Sequence, residues 1–143
     1  MNNLDNTSAR MKILDTLSRY AWGYDEADSR LLMSVFCEDA TTAGKIANSG
    51  NGWGPFNGRD AIVETLLSMR SGQHDVRRHT FHTFRFEQID QKNIEAFFYA
   101  SIFVTKDAKT RIATTGKYHA LMQNENDGQW RIFSLDVELD ASF

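Results

Sequence analysis

The sequence predicts an α+β fold in which a strongly curved, antiparallel or mixed β-sheet wraps around three N-terminal helices. Apolar residues in the first half of the chain recur at steps of three and four, which is typical of helices that bury one face. The second half consists of long runs rich in Thr, Phe and Val, joined by short polar turns. Short turns favour antiparallel pairing, and helices followed by strands differ from the strand–helix alternation of a parallel sheet.

The first helix is predicted over residues 10–24, with Thr7 or Ser8 as its N-cap. Residues 1–8 are expected to form a flexible N-terminus. One buried stripe of apolar residues supports the helix: Ile13, Leu14, Leu17, Tyr20, Ala21 and Tyr24.

Two shorter helices are predicted over residues 28–36 and 59–70. The former is expected to be capped by Asp28 or Ser29, because short polar side chains satisfy the free N–H groups of a helix start. Between these helices we expect a short strand at residues 39–43.

A glycine-rich segment, residues 44–58, contains five of the nine glycines and the only proline of the chain. It predicts a long loop, and a long loop inside a compact domain is usually functional. Trp53 and Phe56 in this segment either cover an apolar pocket or anchor the loop on the core.

The predicted strands of the second half are long and close together. They are expected at residues 77–89, 93–105, 110–123 and 129–138. The second of these strands contains Phe97, Phe98 and Tyr99, which place apolar side chains on both of its faces. One set of helices can cover only one face of a sheet, so we expect self-association as a homodimer or homotrimer.

Length and composition limit the class of protein. The chain has 143 residues, which favours a single domain over 1–143. Its net charge of −3 does not suggest a nucleic-acid-binding protein. One cysteine, Cys37, excludes an intrachain disulfide and a zinc site built from thiolates. No signal-peptide pattern or membrane-length apolar run is evident, so a cytoplasmic protein is expected.

Asp25 comes directly after the apolar stripe of the first helix. At 100° per residue it lies roughly 20° from Leu14 around the helix axis. Either the helix includes Asp25, whose carboxylate is then paired or lines a cavity, or the helix ends earlier and Asp25 caps the next segment. The pattern alone leaves both alternatives open.

Histidine is the usual proton-transfer group near neutral pH. His79 and His82 are three residues apart on a predicted strand, so they face opposite sides and do not form a metal-binding pair. Strand alternation favours His82 as the inward residue, because it shares a face with Phe84 and Phe86. No metal site, phosphate loop or nucleophile elbow is indicated.

Several segments resemble a known family. Tyr24-Asp25-Glu26-Ala27-Asp28 is similar to the Tyr-Asp-x-x-Asp segment of scytalone dehydratase-like proteins in the SnoaL-like family of the nuclear transport factor 2-like superfamily. Arg78-His79-Thr80 resembles the strand that carries the catalytic histidine of that group. Segments Gly58–Ile62 and Gly128–Ile132 resemble the start of its third helix and its last strand.

The resemblance implies a cone-shaped α+β barrel and a cofactor-independent acid–base enzyme. Asp25 and His79 would form its catalytic dyad, which requires His79 rather than His82 to face inward; a bulge in the strand would reconcile this with the alternation. The resemblance also implies substrate contacts for Tyr24 and His119. The glycine-rich segment adds Trp53 and Phe56 to the expected substrate-binding residues, and strand alternation adds His82.

The chain departs from the dehydratase pattern at particular positions. Val104 takes the position of the second histidine of the dehydratase. Gly44 takes that of a tyrosine that holds water there, and His119 takes that of an asparagine that binds the substrate. A relative with a different substrate is therefore expected. The implied reaction is a dehydratase-type elimination from a small aromatic or polycyclic carbonyl or phenolic compound. An isomerase, a polyketide-type cyclase or a non-catalytic ligand-binding or assembly subunit are the alternatives.

Overall fold

The computed structural model describes the backbone of residues 3–143 and the side chains from residue 6 onward. Within these residues, three helices pack on one face of a six-stranded sheet. The elements are α1 (Asn3–Asp25), α2 (Ser29–Val35), β1 (Phe36–Ile46), β2 (Gly52–Asn57), α3 (Arg59–Ser71), β3 (Val76–Gln88), β4 (Asn93–Lys106), β5 (Lys109–Asn124) and β6 (Trp130–Leu139). This arrangement confirms the predicted α+β class.

The sheet is curved, mixed and unclosed, with the strand order β2-β1-β6-β5-β4-β3. Strands β1 and β6 pair in parallel, and the other neighbours pair antiparallel. Strand β3 therefore forms one edge of the sheet, next to α1. The core lies between the helices and the inner face of the sheet, where Ile13, Leu32, Phe36 and Ile132 are fully buried.

The helices begin and end close to the predicted positions, with one clear exception. The N-cap prediction at Thr7 or Ser8 is wrong, because α1 begins at Asn3 and includes both residues. The backbone of residues 3–8 is helical, whereas a flexible terminus was expected; residues 1 and 2 lie outside the described residues. Asp28 caps α2 as predicted, since its carboxylate accepts a hydrogen bond from the Leu31 N–H at 3.1 Å.

The prediction of a long loop at residues 44–58 is wrong, because most of this segment forms the β1–β2 hairpin. Gly44 has a packing role in this hairpin. A Cβ added to Gly44 would lie 2.0 Å from Cζ2 of Trp53, so the indole ring occupies the space above the glycine. The sequence concealed β2 because this edge strand is largely exposed and shows no apolar alternation.

Strand β3 contains a bulge that changes which side chains face inward. Its register with β4 shifts between His82 and Arg85, and Thr83 has a positive φ of 60°. Phe81 before the bulge and Phe84 after it therefore both pack against the core, although they are three residues apart.

Among the described residues, no helix is long and apolar enough to span a membrane.

Candidate active site

Asp25 and His79 form a buried pair where the end of α1 meets β3. The Nδ1 atom of His79 lies 2.6 Å from Oδ1 of Asp25, although the two residues are 54 positions apart in the chain. Their side chains are only 3% and 7% exposed for His79 and Asp25 respectively. Helix α1 extends through Asp25, which decides between the two alternatives that the pattern left open.

Two N–H groups of one residue hold the Asp25 carboxylate. A carboxylate at the C-terminal end of a helix is disfavoured by the helix dipole, so it needs donors from elsewhere. The backbone N–H of His79 donates to Oδ2 at 2.7 Å, and the ring pairs with Oδ1. An ionised carboxylate can only accept, so in that form of the pair Nδ1 of His79 donates to Asp25 and Nε2 is the ring nitrogen that faces other partners.

Arg70 at the end of α3 fixes the backbone around this pair. Its guanidinium donates to the carbonyl oxygens of Asp25 at 3.0 Å, Gln73 at 2.7 Å and Asp75 at 2.8 Å. One side chain therefore ties the end of α1 to the connection that leads into β3. Sequence analysis missed Arg70 because its partner Asp25 lies 45 positions away and no local motif marks the contact.

Tyr24 lies against the dyad inside the fold. Its ring centroid is 5.0 Å from that of His79, and its hydroxyl donates to Oε1 of Gln73 at 2.9 Å. Burial raises the pKa of Tyr24 to about 12, and burial also raises the pKa of Tyr20 and of Tyr118. These hydroxyls therefore remain protonated donors at neutral pH.

Two cavities of very different size adjoin the dyad. A crevice of about 470 Å³ runs between α1 and β3 and is lined by both Asp25 and His79. On the inner side, a cavity of about 20 Å³ touches His79, Tyr24 and Trp53 but not Asp25. The inner cavity has room for about one water molecule, whereas the crevice is in the size range of small-molecule sites.

For Trp53 and Phe56 the sequence leaves open a cover over a pocket or an anchor on the core, and both residues are packed against the core. Trp53 lines the small inner cavity and lies 5.9 Å from Phe143 between ring centroids. Phe56 lines neither the inner cavity nor the crevice. Of the two, only Trp53 is close to the dyad.

The expectation that His82 and His119 share a pocket with the dyad is wrong. His82 is exposed, and its Nε2 lies 3.0 Å from Oγ of Ser101 on the outer face of the sheet. His119 lies on the same outer face, 2.5 Å from Oε2 of Glu95, with its ring stacked on Phe97. The bulge at Thr83 makes His79 the inward residue, so simple alternation chose the wrong histidine.

A third and larger concavity lies away from the dyad. It measures about 790 Å³ on the outer face of the sheet and includes His119 and Tyr99. We regard the crevice as the better candidate site, because it alone contains both members of the buried pair. No group of three or more His, Cys, Asp or Glu side chains suited to a metal ion occurs in the described part of the chain.

An open, curved mixed sheet that packs on three helices is the architecture of cystatin-like, nuclear transport factor 2-like domains. The model of the SnoaL-like domain matches residues 5–136 of this sequence. The chain therefore belongs to the SnoaL-like family, as the sequence motifs predict. A search of curated proteins found no match.

Solved structures show the same fold at low sequence identity. A protein from Catenulispora acidiphila has a TM-score of 0.81 and 19% identity, covering 96% of this chain and 96% of that chain. A scytalone dehydratase-like protein from Novosphingobium aromaticivorans has a TM-score of 0.78 and 18% identity, and the match covers 96% of this chain and 88% of that chain. Hexachlorocyclohexane dehydrochlorinase LinA-type3 from Novosphingobium barchaimii has a TM-score of 0.76 and 14% identity, and the match covers 97% of this chain and 91% of that chain.

Proposed function

We propose that this protein is a cofactor-independent lyase that eliminates a leaving group from a small aromatic or polycyclic carbonyl or phenolic compound. The observation that carries the proposal is the buried pair of Asp25 and His79, with 2.6 Å between Oδ1 and Nδ1. Burying a carboxylate and an imidazole is costly unless they are paired, and a purely structural role has no need of either. Such pairs are concentrated at sites of proton transfer.

The proposed reaction moves one proton through His79. Its Nε2 takes a proton from the carbon next to the carbonyl group, and the electrons of that C–H bond form the new carbon–carbon double bond. The leaving group departs from the neighbouring carbon with its own electron pair. The imidazolium then returns the proton to a departing hydroxide, which leaves as water. Asp25 orients the ring and stabilises its charged form.

Two structural neighbours favour an elimination over the alternatives. The names dehydrochlorinase and dehydratase both describe the loss of a small acid or water across a carbon–carbon bond. An isomerase would use the same base and return the proton to a different carbon, whereas a polyketide-type cyclase would use it to form a new carbon–carbon bond.

Substitution of the dyad tests the proposal. In a screen of aromatic hydroxy-carbonyl compounds, Asp25→Asn and His79→Gln should each lower kcat/KM by about 10²–10⁴-fold, which is the usual contribution of general acid–base catalysis. The chain offers a matched control, because Glu95 and His119 form a second carboxylate–imidazole pair on the outer face. Glu95→Gln and His119→Asn should retain activity. Full activity in either dyad variant would disprove the mechanism.

One observation favours a second candidate, a non-catalytic ligand-binding or assembly subunit. A concavity of about 790 Å³, larger than the crevice, lies on the outer face and contains neither Asp25 nor His79. Under this alternative, ligands or partners bind there, and the outer-face variants lose binding while the dyad variants keep it. The two candidates therefore predict opposite outcomes for the same four variants.

A further inference from the structure

We infer that the substrate reaches the dyad through the crevice between α1 and the edge strand β3, and that this crevice takes a flat aromatic compound carrying an anionic oxygen. The inference rests on the proposed function for the role of His79, and it adds the route, the ligand class and the residue that selects for charge. Four ionisable side chains line the crevice: Asp25, Glu26, Arg78 and His79.

The sizes of the two cavities exclude the inner route for the described conformation. The inner cavity of about 20 Å³ has room for a single water molecule. Trp53 and Phe143 both line it, and their ring centroids lie 5.9 Å apart. The crevice, at about 470 Å³, is large enough for a two-ring compound. In addition, Asp25 lines the crevice and not the inner cavity, so only the crevice offers both members of the pair.

The walls of the crevice suit a flat apolar ring. Its apolar lining comes from both elements: Leu14, Leu17, Ala21 and Trp22 on α1, and Phe81 and Phe84 on β3. Trp22 is 66% exposed, which is unusual for so large an apolar side chain. An exposed indole beside a buried base is well suited to stack on an aromatic ligand.

A cation at the rim provides the charge preference. The Nη1 atom of Arg78 lies 3.2 Å from Oε1 of Glu26, so this ion pair bridges the rim from β3 to the turn that follows α1. Both side chains are more than half exposed, at 59% and 52%. An ion pair that exposed contributes little to stability, so the guanidinium can exchange Glu26 for an oxygen of the ligand. The planar guanidinium matches a carboxylate or a phenolate with its neighbouring oxygen.

Binding of 2-naphthoate, followed through the indole N–H signals of ¹⁵N-labelled protein, tests the inference. The chain has three tryptophans, and Trp22→Phe and Trp53→Phe assign their signals. We expect a saturable shift of the Trp22 signal and little change in that of Trp53, which lines the inner cavity. Arg78→Gln should weaken 2-naphthoate binding about tenfold and leave binding of the uncharged 2-naphthylmethanol nearly unchanged. Exposed Arg30 provides a matched control, and Arg30→Gln should bind 2-naphthoate normally.

Several results would overturn the inference. A shift of the Trp53 signal alone would mean that ligands enter the inner cavity, and no shift up to the solubility limit would mean that the crevice does not bind this class. A Trp22 signal that changes when the protein alone is diluted would mean that a second copy covers the crevice. Binding is measured without turnover, so its failure is distinguishable from a failure of the elimination chemistry, which is tested by the dyad variants.

Discussion

Tyr20, Tyr24 and Tyr118 lie on the inner side of the dyad, and the pKa of each hydroxyl is raised. Burial is the largest cause, and it raises the pKa of Tyr24 from about 10 to about 12. For Tyr20 and Tyr118, burial and the nearby Asp25 both raise the pKa. The negative charge of the dyad therefore contributes to keeping its phenolic neighbours protonated, and they remain donors across the whole physiological range.

We expect the stability of the fold to decrease between about pH 10 and about pH 12. In that window the unfolded chain has lost its phenolic protons, whereas the folded chain retains that of Tyr24. The stabilisation is fully present below about pH 10, the unfolded pKa, and disappears as the pH rises through the folded value. Urea unfolding at about pH 9 and about pH 11 measures the effect. Tyr24→Phe should make the decrease smaller, and an unchanged decrease would contradict the assignment to this residue.

At the scale of the elements, the periodic segments were predictable and the irregular ones were not. Buried residues alternate with more exposed ones along most of strands β4 to β6, so their bounds follow from the sequence within a few positions. Two of the incorrect predictions come from irregular segments, the bulge in β3 and the β1–β2 hairpin. Strand alternation predicts His82 as the inward-facing histidine, and this is wrong because the bulge at Thr83 interrupts the alternation. Only the resemblance to the family indicated His79. The β1–β2 hairpin was missed because Gly44 and Trp53 fit together across strands, which no local pattern shows.

The contact between Gly44 and Trp53 gives a prediction for the hairpin. Gly44→Ala would bring a methyl group within 2.0 Å of the indole ring, so the ring must move away from its position against the core. Overpacking of this kind costs about 1–3 kcal/mol. Urea denaturation should show the loss as a lower midpoint. Gly50→Ala is the control, because nothing lies within 4 Å of the added methyl group. The stability of this variant should be unchanged.

For the whole molecule, the sheet has one face covered by helices and one face open. The open face carries half-buried Phe97 and Tyr99, which is 49% exposed, together with charges of both signs. Lys45 and Lys117 both lie near Glu138 there, at 3.1 and 3.8 Å. Mixed charges around apolar side chains allow the same surface to be complementary to itself in a symmetric assembly.

We expect the protein to form a homodimer or homotrimer through this open face. Light scattering at micromolar concentration should report the assembly, and Tyr99→Lys should shift it towards the monomer by placing a charge among apolar contacts. Met11, which is 64% exposed, provides the control, since Met11→Lys adds the same charge on α1 and not on the open face of the sheet. A monomeric unsubstituted protein would contradict the expectation.

The hydrogen bond from the backbone N–H of residue 79 to Asp25 Oδ2 does not depend on the side chain at that position. In His79→Ala the carboxylate keeps this donor, and the space of a five-membered ring opens beside it at the wall of the crevice. We therefore expect chemical rescue: imidazole dissolved in the assay buffer should enter the vacated space and restore part of the lost activity. Rescue that saturates with imidazole concentration, and is absent in a His79→Ala, Asp25→Asn double variant, would show that the base must bind beside Asp25 but need not be attached to the chain.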